Sequence, residues 1–195
     1  MLCVKELDMN EKRFNPKKLH KLNNPKRLLD LPPEYIWSKL NMNAANVIVD
    51  IGAGTGFFSI PFANYTKELF ACDISDIMIE WITKNICPKY PNIIPLNMET
   101  NSVPLQDEIS DLVYMINLHH ELDEPDKMLK ECRRLLKDNA MIFIADWKKE
   151  EMPEGPPMHL RCLPFEVKKQ LLSVGFRNIA LYDEMEKHFL IVAEK

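Results

Sequence analysis

Glycine is scarce in this chain, five in 195 residues, yet three of the five stand at alternate positions: Gly52, Gly54 and Gly56. Cysteine is also sparse. The five cysteines, Cys3, Cys72, Cys87, Cys132 and Cys162, form no C-x-x-C pair. An odd count in a chain of this size argues against a disulfide scaffold and suits a reducing, cytoplasmic setting. Long uncharged runs are missing. The longest, residues 51–66, holds the three glycines, Pro61 and Asn64, so it is no membrane span. Nothing reads as a signal peptide, because Lys5, Glu6 and Asp8 interrupt the first ten residues. A basic excess is absent too. The formal net charge is −4, which gives no electrostatic reason to expect nucleic acid as partner.

What is present is ordinary in bulk. Apolar residues make up 46% and charged residues 28%, as in a soluble globular protein, and the length suits one domain with a full core. Charge is unevenly placed. Residues 11–27 hold seven Lys or Arg against one Glu. That stretch is either a solvated arm or a contact surface for an anionic substrate or partner.

The first forty residues read as short helices punctuated by Pro16, Pro25, Pro32 and Pro33. Five apolar strand-like runs follow, at 46–51, 68–74, 92–97, 111–117 and 140–146. Helical patterns stand at 57–64, 75–86 and 124–137. Ser75 reads as an N-cap, and Ile77, Met78, Trp81 and Ile82 as core. A proline-rich segment, 147–164, precedes a helix at 165–175 that Gly175 stops. Two last strands, 176–183 and 188–195, are joined by so short a link that they must be antiparallel. Alternating strands and helices, with continuous apolar strands, predict an α/β fold whose largely parallel sheet is covered on both faces.

The glycines follow the first strand. There they allow a tight strand-to-helix turn and a close approach of backbone N–H groups to a ligand. Their spacing is G-x-G-x-G, whereas the dinucleotide fingerprint is G-x-G-x-x-G, whose third glycine falls here at Phe57. Two acids bracket the loop. Asp73, ending the second strand, is placed to hold ribose hydroxyls. Asp50 is placed to attract a cationic amino group. A ligand with an ammonium, a ribose and no phosphate fits better than NAD.

"VDIGAGTGFF" followed by "CDIS" resembles motifs I and II of class I S-adenosylmethionine-dependent methyltransferases. "LNMETNSVPLQDEISDLVYMINLHHEL" and "LLKDNAMIFIADW" are similar to later segments of the methyltransferase-11 and menaquinone-biosynthesis-like groups. The usual Pro-Gly-Gly turn is replaced by Lys137-Asp138-Asn139. The resemblance covers residues 35–195. It implies a Rossmann-like, doubly wound seven-stranded sheet in the order 3-2-1-4-5-7-6, with the last strand antiparallel and helices on both faces. It implies S-adenosylmethionine as cofactor and S-adenosylhomocysteine as product. It carries cofactor contact onto Asp50, Gly52, Ala53, Gly54, Gly56, Asp73, Ile74, Asn97, Met98, Glu99 and Asn117. Adenine would be met by the Asn97 side-chain carbonyl or the Met98 backbone N–H.

His119, His120 and Asp146 are the candidates for a base at the strand ends. Either histidine reads equally as a packed loop residue. His159 and Cys162 are too few for a metal site, so no metal is expected. The chain lacks the Asn/Asp-Pro-Pro-aromatic motif of adenine- and amide-directed enzymes after its fourth strand. The expected acceptor is therefore a small molecule, with no nucleic acid and no membrane partner, on a cytoplasmic monomer or homodimer. The expected organisation is a helical arm or lid, 1–34, on a methyltransferase domain, 35–195. Two other classes remain: a cofactor-binding sensor without transfer, and an NAD(P)-dependent enzyme. Residues 147–163 and the arm, with Phe14, Leu19 and Leu22, are expected to cover the acceptor site as mobile pieces.

Overall fold

The computed structural model describes residues 16–195. Phe14 and Cys3 lie outside the described residues. A 3-10 helix, Pro16–Asn23, leads into α1 (Lys26–Asp30) and α2 (Pro33–Ser38). The sheet begins with β1 (Ala45–Ile51) and continues through α3 (Ser59–Ala63), β2 (Thr66–Asp73), α4 (Asp76–Asn85), β3 (Ile93–Asn97) and β4 (Ser110–Ile116). It closes with α5 (Pro125–Leu135), β5 (Leu136–Trp147), α6 (Pro164–Ser173), β6 (Arg177–Tyr182) and β7 (His188–Glu194).

The seven strands lie in the order β3-β2-β1-β4-β5-β7-β6. The first five pair in parallel, and β7 runs antiparallel between β5 and β6. This is the order and sense expected. Because β7 is reversed, its first residue, His188, pairs with Trp147, the last residue of β5. The β7 start therefore joins the carboxyl ends of the parallel strands.

The apolar strand runs follow from burial on both faces. Ile48, Tyr114, Phe143 and Leu190 point to one face, where Ile36, Trp37 and Phe62 cover them. Tyr114 and Phe143 stack at 4.8 Å, and Phe62 leans on both. Val49, Val113, Ile144 and Ile191 point to the other face, under Met128, Leu129, Val167 and Leu171. Each such fully buried side chain contributes about 1.5–3 kcal/mol. No helix among the described residues is long and apolar enough to cross a membrane.

Three local expectations need correction. Ser75 occupies the N-cap position of α4, but its side chain makes no capping bond. Instead its own N–H donates to Asp73 Oδ1 at 2.9 Å, so the preceding strand's acid orders the helix start. Of the presumed core residues of α4, Met78 and Ile82 are buried, Trp81 is half-buried and Ile77 is exposed. The helix lies at the sheet margin, where only one narrow stripe has a partner. Finally, β5 starts at Leu136. Lys137-Asp138-Asn139 is no free turn but an irregularity inside the strand, with the register jumping from Ser110↔Leu136 to Leu112↔Met141. Asn139 takes φ +61° there.

Candidate cofactor and acceptor site

Asp50, the next-to-last residue of β1, stands just before the glycine loop and is buried. Ser59 Oγ and Tyr114 Oη both donate to its Oδ2, at 2.6 and 2.8 Å. Burial pushes the Asp50 carboxyl up to about 7, against the pull of those two hydrogen bonds. Arg27, on α1, supplies the nearby positive charge. Its guanidinium lies 4.8 Å over the Phe58 ring and 5.6 Å over Phe57, and Nη1 donates to the Leu22 carbonyl. Burial lowers it to about 10, opposed by the Asp50 charge, so it remains cationic at neutral pH.

The glycine loop is fastened to β2. Gly52 and Ala53 donate their N–H groups to the Cys72 carbonyl, at 2.8 and 2.9 Å. Gly54 N–H donates to Asp73 Oδ2 at 2.8 Å. Gly52 has φ +72°, and a Cβ there would meet the Leu118 side chain at 2.7 Å. Gly54 has φ +58°, and a Cβ would stand 3.1 Å from Leu22. Positive φ favours glycine at both positions, and a Cβ would in addition have to displace the tip of the Leu118 or Leu22 side chain. Gly56 also has positive φ, where the loop turns into α3. Asp73 is raised because burial outweighs the N–H groups of Ser75 and Gly54 that it accepts. The 3-10 helix reaches this loop too, since Thr55 Oγ1 donates to Asn23 Oδ1 at 2.7 Å.

Beyond Asp73, Ile74 and Ile77 are large apolar side chains left exposed, at 44% and 49%. They suit one face of a flat ring. The Met98 backbone N–H donates to the Asp73 carbonyl at 3.0 Å. Asn97 donates its side-chain amide to Asp76, which leaves its carbonyl oxygen for a ligand. Glu99 is exposed, and its backbone pairs with Ser102.

At the end of β4 the chain turns through Asn117, whose φ is +55°. Its Oδ1 is buried without a partner. His119 and His120 follow, both buried, and they separate in role. His120 Nδ1 lies 2.7 Å from Asp146 Oδ1, and its backbone N–H donates to Asp146 Oδ2 at 3.0 Å. Burial would lower His120, but the Asp146 carboxylate more than reverses this and the ring is raised. Asp146 is correspondingly lowered: burial raises it, and His120 and the Trp147 N–H outweigh that. His119 instead meets Gln170 of α6, Nε2 to Oε1 at 2.8 Å, and burial lowers it.

Within the 147–163 segment, side-chain to backbone bonds hold residues 148–160 together. Buried Arg161 donates to the carbonyls of Lys148, Glu150, Glu154 and Pro156. Gly155 lies against the Trp147 ring, where a Cβ would come within 2.9 Å. Glu154 pairs with Lys26 at 2.9 Å and with Lys187 at 2.6 Å, and Lys187 also pairs with Asp30 at 3.0 Å. Loop, α1 and the β7 start are thereby latched together. Sequence reasoning missed Arg27, Ser59, Tyr114, Gln170 and Arg161. None carries a local motif; Arg27, Tyr114 and Gln170 act through partners distant in sequence, and Ser59 and Arg161 through partners that a loop brings back to them.

A glycine loop clamped between two strand-end acids, on a sheet of this order, defines a Rossmann-like methyltransferase architecture. Residues 49–144 match the Methyltransf_11 family, described as a methyltransferase domain. This match and the relatives that follow support a class I S-adenosylmethionine-dependent methyltransferase. The crystal structure of a SAM-dependent methyltransferase from Aquifex aeolicus is 29% identical, with a TM-score of 0.88, and the match covers 93% of this chain and 99% of that one. The malonyl-[acyl-carrier protein] O-methyltransferase of Geobacter sulfurreducens is 25% identical over 160 residues, 73% of this chain and 60% of that protein. The tRNA(Phe) (4-demethylwyosine(37)-C(7)) aminocarboxypropyltransferase of Methanocaldococcus jannaschii is 28% identical over 156 residues, 78% of this chain and 61% of that protein. The chain thus spans about three fifths of the length of these two curated relatives.

Proposed function

We propose that this protein transfers a methyl group from S-adenosylmethionine to a small-molecule acceptor. The observation that carries the reading is one sheet edge holding a glycine loop clamped by Asp73, a buried Asp50 and a His120–Asp146 pair. The residues fit the cofactor. Gly52 and Gly54 form a cradle that a Cβ would fill, and Asn117 Oδ1 is an orphaned acceptor. Asp50 and Asn117 would take the ammonium, Arg27 the carboxylate, Asp73 the ribose hydroxyls, and Ile74 and Asn97 the adenine.

When bound, the cofactor supplies a methyl carbon that accepts the acceptor's lone pair while the C–S electrons stay on sulfur, leaving a neutral thioether. What remains for the protein is orientation, dryness and one proton. His120 is the group for the proton. Asp146 holds the Nδ1–H tautomer, so Nε2 keeps its lone pair. The 3-10 helix, α1 and the 148–160 loop act as the cover that excludes water. Their contacts with Gly54 and Thr55 and the Lys26–Glu154–Lys187–Asp30 latch support that role.

A second reading has an RNA acceptor or another transferred group. The aminocarboxypropyltransferase relative and the basic run at 11–27 favour it. Incubation with cell extract and methyl-labelled S-adenosylmethionine distinguishes them. Label in extractable metabolites supports the proposal. Label confined to RNA, or S-adenosylhomocysteine never formed, contradicts it.

A further inference from the structure

His188 opens β7 and is only 1% exposed. Among the described residues, neither of its ring nitrogens has a hydrogen-bond partner. Leaving a buried polar atom unpaired is unfavourable, and native structures keep few such atoms. Here one ring carries two.

The ring stands at the end of the sheet where the cofactor loop lies. His188 pairs with Trp147 across the antiparallel ladder, and their rings meet at 4.2 Å, tilted by 43°. Gly155 of the 148–160 loop packs on the same indole. Strand alternation puts His188 on the face of Leu190 and Tyr114, where Tyr114 donates to Asp50. Arg27 and Asp30 of α1 act on the ring electrostatically, as do Lys187 and Asp146. Asp146 acts on His120 as well, so the candidate base and His188 have one carboxylate as a common neighbour.

The His188 ring is neutral at physiological pH. Burial lowers it to about 4, and Arg27 and Lys187 add to this against the pull of Asp146 and Asp30. A neutral imidazole offers one N–H and one lone pair. The charges around it are already engaged: Asp146 by His120, Asp30 by Lys187, and Arg27 by the Leu22 carbonyl. A charged group brought to His188 would give up its water and find those partners taken. A hydrocarbon would leave both nitrogens unpaired.

We infer that His188 binds the acceptor away from the methylated atom, at an uncharged group that both donates and accepts a hydrogen bond, as an amide or a heteroaromatic ring does. His188 is then a specificity residue, and Trp147 fixes the tilt of its ring. The inference deepens the methyltransferase reading and rests on it.

The test uses the full chain, methyl-labelled S-adenosylmethionine, and a protein-free cell extract as the source of acceptor. Label incorporation against extract dilution gives an apparent KM and a maximal rate before the acceptor is named. His188→Phe should raise the apparent KM about tenfold or more, the scale of one or two buried hydrogen bonds. The maximal rate should stay within about threefold, because the group bound is not the one that reacts. Calorimetric affinity for S-adenosylhomocysteine should not change. His188→Gln keeps a donor and an acceptor and should recover at least about threefold of the loss. The labelled product should carry an amide or a nitrogen heterocycle. Thermal melts verify folding. If His188→Phe unfolds, nitrogen NMR of ring-labelled histidine in the unmodified protein carries the test, with His188→Gln assigning the signals, which should shift when extract is added. An apparent KM untouched by His188→Phe, an equal loss in the glutamine variant, or ring signals that ignore the extract would mean that a buried water fills the site, and would overturn the inference alone. So would a labelled product without such a group. No labelled product from the unmodified protein would overturn the methyltransferase reading together with it.

Discussion

Asp50→Asn should remove a pH dependence from cofactor binding. The Asp50 carboxyl sits at about 7 instead of the ordinary 3.8, because it is buried and because Asp73 adds like charge. Ser59, Tyr114 and Arg27 oppose this, and Cys72 is the other titratable group beside it. At pH 8 such a group is about nine-tenths ionised, and at pH 6 about one-tenth. A ligand ammonium pairs with the carboxylate, so affinity should fall about tenfold from pH 8 to pH 6. Binding at pH 6 should release close to one proton, and binding at pH 8 almost none. Calorimetry in two buffers of different ionisation enthalpy measures both quantities. Asp50→Asn keeps the shape but cannot ionise, so its affinity should be low and nearly flat with pH. The same shift acts on folding. The folded carboxyl holds its proton more tightly than the unfolded one, so its contribution to stability is present at low pH and is lost as pH rises from about 4 to 7. Asp50→Asn should therefore raise the melting temperature more at pH 8 than at pH 5. Wild-type affinity that ignores pH, or a variant that keeps the wild-type slope, refutes the reasoning.

Asp73→Ala should weaken S-adenosylhomocysteine by roughly 2–3 kcal/mol. Because Asp73 also holds Gly54 and Ser75, a 2′,3′-dideoxy analogue should lose affinity too, but less; equal losses by calorimetry would leave Asp73 no part in ribose binding. Asp146→Asn should cut transfer to the true acceptor by about 10²–10⁴-fold with cofactor affinity nearly unchanged. The acidic limb of its pH–rate profile should move down, since the carboxylate that raises His120 is gone; an unmoved limb would exclude His120 as the base. Arg161→Ala leaves four carbonyls without their donor and should cost at least about 2 kcal/mol of stability. Limited proteolysis should then cut within 148–160, and an unchanged cleavage pattern would show that Arg161 does not organise the loop.

The sheet was legible because its signals are local. Apolar runs such as Val47–Val49 and the short link before His188 fix strand number and sense, and the family resemblance supplied the order. The glycine spacing and the two acids located the loop for the same reason. The rest depends on contacts that exist only once the chain has folded. Arg27 meets Phe57 and Phe58 only once the chain has folded back, and no pattern around it announces that. Arg161 reads as one more surface cation until its guanidinium is seen among backbone carbonyls, which carry no side-chain signature. The bond from the Met98 N–H to the Asp73 carbonyl joins two backbones, so no side-chain pattern announces it. The two histidines look alike in "LHH". Only the Asp146 and Gln170 partners, brought by β5 and α6, tell them apart.

The central claim is that Gly52–Gly56, Asp50 and Asp73 form a site for S-adenosylmethionine. The most direct measurement is a calorimetric titration of the full chain with S-adenosylhomocysteine and, separately, with NADH, repeated on Gly54→Leu. Gly54 stands at φ +58° with Leu22 3.1 Å from its missing Cβ, so the branched side chain should close the loop. One saturable site for S-adenosylhomocysteine, no site for NADH, and loss of binding in the variant with native circular dichroism is the predicted result. NADH binding, or S-adenosylhomocysteine affinity untouched by Gly54→Leu, would contradict it.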